Sequence, residues 1–474
     1  MPSMNQHTLA LNGINATTGE ALAAGATLEE IAILACDEQL TTAEIEDLRR
    51  QRARLREEHL DTKFEIDPRN LAESGWGVIF PEGRQEELRE ALAPLLALRK
   101  SQAGSLRENR YRELVHQPGE SKARFLARHG AGPGPADPDK LPYYLLIAAD
   151  PSEISFGFQY QLDVQYAVGR LDFATAEEYA RYAESVVAAE QGALSSSDQV
   201  SFFGVANPGD RATEMSLHDL VEPLAARISR ERPHWSVETL LGPQATKAAL
   251  AERLGGSRTP ALLFTASHGL GFDPADPRHL PHQGALLCQD WPGRDAWKGP
   301  IPADHYLSGD DVADSASPQG LIAFFFACYG AGTPPFDSFR MEGERRRIAA
   351  ESFVARLPQR LLGHPRGGAL AVVGHVDRAW SFSFDWPDSG AQIQVFESAL
   401  GRLLEGYPIG AAMEYFNQRY AELFTDLGEQ TEDVRWGAQP DFLNLAELWT
   451  AAHDARSYVV LGDPAVRMNL PVRA

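Results

Sequence analysis

An α/β chain built on a mostly parallel sheet, with helices on both faces, is the fold class this sequence predicts. Three observations point to it. Short continuous apolar runs recur at 143–149, 261–266 and 321–327, as in strands covered on both sides. Segments of helical periodicity alternate with them, which is the pattern of a parallel sheet with crossover helices. No internal repeat of fixed period interrupts that alternation.

In chain order, the first 35 residues are rich in Ala, Gly and Thr and read as a loosely ordered lead-in. Thr41, Thr42, Ala43 and Glu44 have capping-box spacing and open a charged helix carrying Ile45, Leu48 and Leu55. Residues 76–80 read as a short buried strand. Leu88, Leu92, Leu95 and Leu96 then mark one side of a helix bent at Pro94. The Gly-, Pro- and Asp-rich stretch 130–142 is a loop leading into the strand at 143–149. Thr175 and Glu178 cap a helix with Tyr179, Tyr182, Val186 and Val187 at helical spacing. The serine-rich stretch 192–199 reads as a linker. Beyond it strands are expected at 200–206, 237–241, 261–266, 321–327 and 369–373, with helices at 217–228 and 245–254. The predicted organisation is a lead-in and helix over 1–60, a smaller α/β subdomain over 61–192, and a larger α/β domain over 199–474.

The formal net charge of −22 argues against binding a phosphate backbone, so no nucleic-acid partner is expected. No apolar run approaches the roughly 20 residues that cross a bilayer, and no membrane partner is expected either. Three cysteines, Cys36, Cys288 and Cys328, are too few for a disulfide framework and fit a reducing interior. Residues 1–9 lack the cationic and apolar pattern of an export signal, which makes the cytoplasm the expected address.

Two apolar strands end in residues suited to nucleophilic catalysis. The 261–266 run leads into Ser267, His268 and Gly269, and the 321–327 run into Cys328, Tyr329 and Gly330. Parallel sheets gather reactive groups at the carboxyl ends of their strands. An imidazole beside a thiol makes the thiolate and later returns the proton to the leaving amine. The backbone N–H groups of Gly269 and Cys328 are the candidate oxyanion donors. A lone cysteine at a strand end is more often a small buried hydrophobe. It is the pairing of strand–His–Gly with strand–Ala–Cys, 60 residues later, that points to chemistry.

These blocks resemble clan CD cysteine peptidases, the group of caspases, gingipains and bacterial CHAT domains. Tyr143 to Asp150, followed by Asp163 to Arg170, is similar to the gingipain-type subdomain that precedes the catalytic one. The ending Leu461-Gly462-Asp463-Pro464 is similar to the close of gingipain-like catalytic domains. Caspases carry Gln where this chain has Phe326. The resemblance implies a caspase-like catalytic domain over 199–474 behind a non-catalytic subdomain. It further implies a cysteine endopeptidase that works through His268, Cys328 and an acyl-enzyme, without a cofactor. Protein or peptide substrates and an activating partner or event would follow.

In caspase-like folds the loop after the first catalytic strand resembles part of the specificity pocket. Here that loop carries Asp210 and Arg211, and Asp377, Arg378 and Trp380 form a candidate second wall. Arg211 turned inward would suit an acidic substrate residue, and Asp210 turned inward a basic one; the net acidity favours basic substrates. The 333–347 loop, with Pro334, Pro335, Arg340 and Arg345 to Arg347, reads as exposed and mobile. It corresponds to the region where caspases are cut on activation. Asp273, Asp276, His279, His282 and Cys288 are metal-ligand types, but Pro274, Pro277 and Pro281 break their spacing, so no metal is expected. The alternative to an enzyme is a catalytically silent caspase-like interaction module.

Overall fold

The computed structural model describes residues 13–20, 62–63, 66–194, 197–339, 346–386, 389–436 and 438–469. Its centre is a ten-stranded sheet. The strands are β1 (Trp76–Pro81), β2 (Tyr111–His116), β3 (Tyr144–Ala148), β4 (Ala167–Leu171), β5 (Gln199–Gly204), β6 (Ser236–Leu241), β7 (Leu262–Ala266), β8 (Ile322–Phe326), β9 (Ala371–His375) and β10 (Tyr458–Gly462). They lie in the order β2-β1-β3-β4-β10-β9-β8-β7-β5-β6.

Every pairing is parallel except that of β9 with β10. The sheet is therefore two parallel blocks of opposite direction, joined at one antiparallel seam. β10 belongs to the first block by direction, since it runs parallel to β4. Helices flank the sheet: α1 (Ala176–Glu190), α2 (Glu222–Glu231), α3 (Gln394–Leu404), α4 (Glu414–Arg435) and α5 (Phe442–Arg456) among them. Thr175 caps α1 with a complete capping box, as its spacing with Glu178 predicts. The chain breaks at Leu92 between helices Gln85–Ala91 and Ala93–Ala103, where Pro94 cannot supply an interior N–H.

Apolar runs become strands here because both faces are covered. Phe264 and Phe324 stack on neighbouring strands with ring centroids 5.0 Å apart. Phe396 of α3 and Phe416 of α4 close over Phe324. The seam is fixed by one buried carboxylate directly after β10. Asp463 accepts hydrogen bonds from Trp76 Nε1 (2.9 Å) and Arg99 Nε (2.7 Å). Its own N–H donates to Tyr182 Oη, which donates in turn to the Leu370 carbonyl at 2.8 Å. A buried ion pair with its remaining polar atoms satisfied specifies one arrangement, and this one joins both blocks.

A second, smaller core sits beside the sheet. Gly13–Asn15 pairs in parallel with Gly269–Gly271, which pairs antiparallel with Leu286–Leu287, and that with Tyr306–Leu307. Ile14, Leu270, Leu287, Trp291 and Tyr306 bury one another there. This corrects the expectation of a loosely ordered lead-in for residues 13–20. Ile14 and Ala16 are fully buried, and the Ala16 N–H reaches the Gly271 carbonyl at 2.8 Å. The helix expected after Thr41, and Cys36, lie outside the described residues. Among the described residues, no helix is long and apolar enough to cross a membrane.

Candidate active site

β7 and β8 are adjacent, parallel and in register, with Leu262 opposite Ile322 and Ala266 opposite Phe326. His268 and Cys328 thus lie equally far beyond the last paired residues, and their spacing of 60 in sequence is the register offset itself. Neighbouring strands run about 4.8 Å apart, so the two residues leave the same edge side by side. The contact is closest at Gly269. A Cβ there would lie 1.7 Å from the Cys328 carbonyl oxygen, so only glycine lets the residue after the histidine meet the backbone of the cysteine. Tyr329, directly after the cysteine, has φ 59°, the sole non-glycine residue in the left-handed region among the described residues. Strain of this kind, of order 1–3 kcal/mol, persists where the surroundings force it. Here the Tyr329 N–H is tied to the Asp377 carbonyl at 2.9 Å.

His268 is almost fully buried, and its Nε2 lies 2.9 Å from Asp210 Oδ2. Asp210 follows β5, the next strand across, and caps helix Arg211–Met215 by accepting the Thr213 N–H at 3.0 Å. Arg294 also reaches Oδ2, at 3.2 Å. Burial by itself would raise this carboxyl. The His268 charge and hydrogen bond, the Thr213 N–H and Arg294 together outweigh burial and hold it well below the usual carboxylate range. When the ring is neutral, an ionised Asp210 selects the Nε2–H tautomer and leaves Nδ1 as the acceptor. His268 Nδ1 is buried and has no hydrogen-bond partner among the described residues. An unmet buried acceptor costs stability, and catalysis is a reason to keep one.

Cys328 has no solvent exposure. Burial pushes its thiol up to about 12, against the smaller opposing pull of the Ala379 N–H and Arg378. The Ala379 N–H points at Cys328 Sγ from 3.3 Å. A layer of buried side chains packs around the turn that meets Cys328. Arg378 pairs with Asp337, and Phe339 packs on Trp380 at 4.8 Å between centroids. The expectation of an exposed 333–347 loop is corrected at three of its described residues, while Phe336, Arg346 and Arg347 are exposed. Thr333, Asp337 and Phe339 are buried, because Gly332–Thr333 pairs with Phe353–Val354 and Asp337 neutralises a buried arginine. Residues 340–345, with Arg340 and Arg345, lie outside the described residues.

Of the five expected pocket residues, Arg211 alone is exposed; Asp210, Asp377, Arg378 and Trp380 are buried. Asp210 turns to His268 instead of standing in a pocket wall. Its role was missed because the residues are 58 apart in sequence. The available signal was its place on the same sheet edge, at the loop after an adjacent strand. The metal-ligand types at 273–288 take separate partners: Asp276 meets Arg278 and Thr17, and His282 meets Tyr306 and Asp310. Cys288 is buried in the core.

Comparison with known proteins places this arrangement. No curated protein matches the sequence. Solved structures similar to it include one described as the structure of a protease, 12% identical, covering 84% of this chain and 80% of that one, with a TM-score of 0.46. Another is the complex of pro- and mature domains of RgpB from Porphyromonas gingivalis, 12% identical, covering 83% and 80%, with a TM-score of 0.40. The family model of peptidase family C25 matches residues 120–469, well over half of the chain and including both His268 and Cys328. The chain belongs to peptidase family C25 and is a cysteine peptidase.

Proposed function

We propose that this chain is an endopeptidase in which Cys328 attacks the peptide carbonyl and His268 moves the proton, with Asp210 orienting the imidazole. The observation that carries the reading is the in-register pair β7–β8, which brings His268 and Cys328 to one edge while Asp210 engages the far nitrogen of the ring. In this reading Nδ1 takes the thiol proton as Sγ bonds to the carbonyl carbon. The oxyanion is met by the Gly269 and Cys328 N–H groups. Collapse of the tetrahedral adduct breaks the C–N bond; the amine leaves with the proton from His268, and water then hydrolyses the acyl-enzyme.

The described conformation is a resting one in this reading. A thiol without exposure and with a raised pKa does not react, so the layer formed by Asp337, Phe339, Arg378 and Trp380 must move before substrate enters. Activation by a partner or a pro-segment, protein substrates and a cytoplasmic setting are parts of the same proposal. Arg211 stands ready at the surface to touch substrate; Asp377, Arg378 and Trp380 would do so after opening. The same burial of Cys328 favours a second reading, a silent interaction module. A thiol-directed activity probe separates the two. Labelling of the wild type under an activating condition, absent in Cys328→Ala, supports the peptidase. Absence of labelling and of peptide cleavage under every condition supports the module.

A further inference from the structure

The segment that presents an N–H to the nucleophile is held by a carboxylate far away in sequence. Val376 to Ser383 follows β9 and folds over Cys328. Its Ala379 N–H donates to Sγ at 3.3 Å, and the Sγ lies 3.9 Å from the Ala379 carbonyl. The next residue, Trp380, donates its N–H to Asp454 Oδ1 at 2.9 Å. Asp454 Oδ2 accepts from Ser383 Oγ at 2.5 Å, and Ser383 Oγ also meets Tyr458 Oη at 2.7 Å. Asp454, Ser383 and Tyr458 are all buried, as is His375, whose Nε2 lies 3.6 Å from Asp454 Oδ1. His375 Nδ1 holds the Arg378 carbonyl at 3.2 Å. The carboxylate thus grips the turn at both ends, by a backbone N–H and a hydroxyl.

We propose that Asp454 is a positioning residue for the peptidase reaction, anchoring the turn so that the Ala379 N–H stays on Cys328 Sγ. Helix α5 delivers the carboxylate from beneath, and β10 delivers Tyr458 beside it. Neither element carries a residue of the Cys–His–Asp set. A carboxylate buried this deeply carries a desolvation cost that an apolar side chain of equal volume would avoid. What it gains is directional: two acceptor oxygens that fix the turn carrying the donor. The N–H···S bond favours the thiolate over the thiol, so losing the turn makes Cys328 less acidic. The charged group facing Asp454 is Arg419, at 4.0 Å; His375 also faces it, but burial holds that ring neutral with a pKa down at about 3. Those facing Cys328 are Arg378, Asp377 and Asp454 itself, whose negative charge opposes the thiolate and works against its anchoring effect. The test alters Asp454 alone among these, and Asp454→Asn, which removes the charge but keeps the acceptor, separates charge from anchoring.

The proposal rests on the peptidase reading, and the test reads the thiol separately from turnover. Rates of Cys328 alkylation by iodoacetamide are followed against pH in the full chain, with melting temperature measured alongside. Asp454→Ala is expected to move the alkylation midpoint up by about one pH unit, a tenfold loss of thiolate at a given pH. It should also lower kcat about tenfold or more with KM little changed. Asp454→Asn, which keeps an acceptor for Trp380 N–H, is expected to retain a midpoint near that of the wild type. A midpoint in Asp454→Ala no higher than in Asp454→Asn, in a chain that still melts cooperatively, overturns the proposal. If Asp454→Ala does not fold, Ser383→Ala serves, with a smaller shift expected and an unchanged midpoint counting against the idea. A shifted midpoint in a protein that cleaves no peptide would sink the peptidase reading and leave the anchoring intact.

Discussion

The two blocks of the sheet are built alike and end differently. In the first, Arg170 of β4 is fully buried at the strand ends. Its guanidinium donates to Gln159 Oε1 (2.8 Å) and to the carbonyls of Ala149 (2.9 Å) and Ile154 (2.6 Å). Burial lowers its pKa to about 10, and it still carries its charge at neutral pH. In the second block the matching edge carries His268, whose Nδ1 meets no partner, and a thiol capped by one N–H. The same architecture therefore supports a plugged edge and one that carries the proposed catalytic pair. What separates them is what fills the strand ends: a guanidinium held by three acceptors in one, an imidazole with an unpartnered nitrogen and a thiol in the other.

The largest expected effects fall on the reactive edge. Cys328→Ala should abolish peptide hydrolysis, and His268→Ala should lower kcat about 10³-fold or more, with melting temperatures close to wild type. A hydrolysis rate above one-tenth of wild type in either would erase the contrast between the blocks. Asp210→Asn should lower kcat about 10²-fold by releasing the imidazole. It has a pH signature as well. The folded carboxyl sits below its ordinary 3.8, so its stabilisation is full at neutral pH and fades as pH falls through 3.8. Urea unfolding at pH 7 and at pH 3 checks this: the wild type's advantage over Asp210→Asn should shrink at the lower pH.

On the plugged edge the expected effect is on stability alone. Arg170→Met leaves three buried acceptors unmet and should cost about 3 kcal/mol, with kcat per folded molecule unchanged. A large fall in kcat there would show that the seam transmits strain between blocks. A smaller effect is expected from Ile14→Ala, about 2 kcal/mol of local stability in the small core. Because Gly13 pairs with Gly269, this change should also lower kcat several-fold, which stabilisation of the main sheet would not restore. Smallest is Arg211→Ala: KM should change while the melting temperature does not, as read by a peptide-library profile and a thermal scan.

Much of the reactive block was legible because its strands are continuous apolar runs; β5, β7, β8 and β9 match expected runs to within two residues at each end. The pairing of His268 with Cys328 could be read because register turned a sequence spacing into a spatial one. β1, β3 and β6 were also expected, but β2, β4 and β10 carried no such signal. β2 is an edge strand whose Arg112 and Glu113 break the apolar run, and β4 hides Arg170 within it. β10 was visible as the Leu-Gly-Asp-Pro ending but not as a strand, since nothing local says that it inserts between β4 and β9. Asp210 and Asp454 were illegible as partners for the same reason: each acts across a contact made by topology. The small core was missed because Ile14 and Ala16 are two apolar residues in a stretch of polar ones, and their burial depends on a strand more than 250 residues later.

The position of β10 also sets an order of events. β4 and β9 share no pairing; each is paired to β10, and no described strand comes later in the chain. A ribosome therefore releases His268, Cys328 and their strands well before the segment that fuses the blocks. Until residues 458–462 emerge, the nascent chain holds two half-sheets with open edges at β4 and β9, and Asp463 and Tyr458 are not yet there to close the seam or to meet Ser383. The strand that joins the blocks is thus made after both of them, so translation itself times the closing of the seam, and a chain stopped before Tyr458 should be cleared as an unjoined fragment.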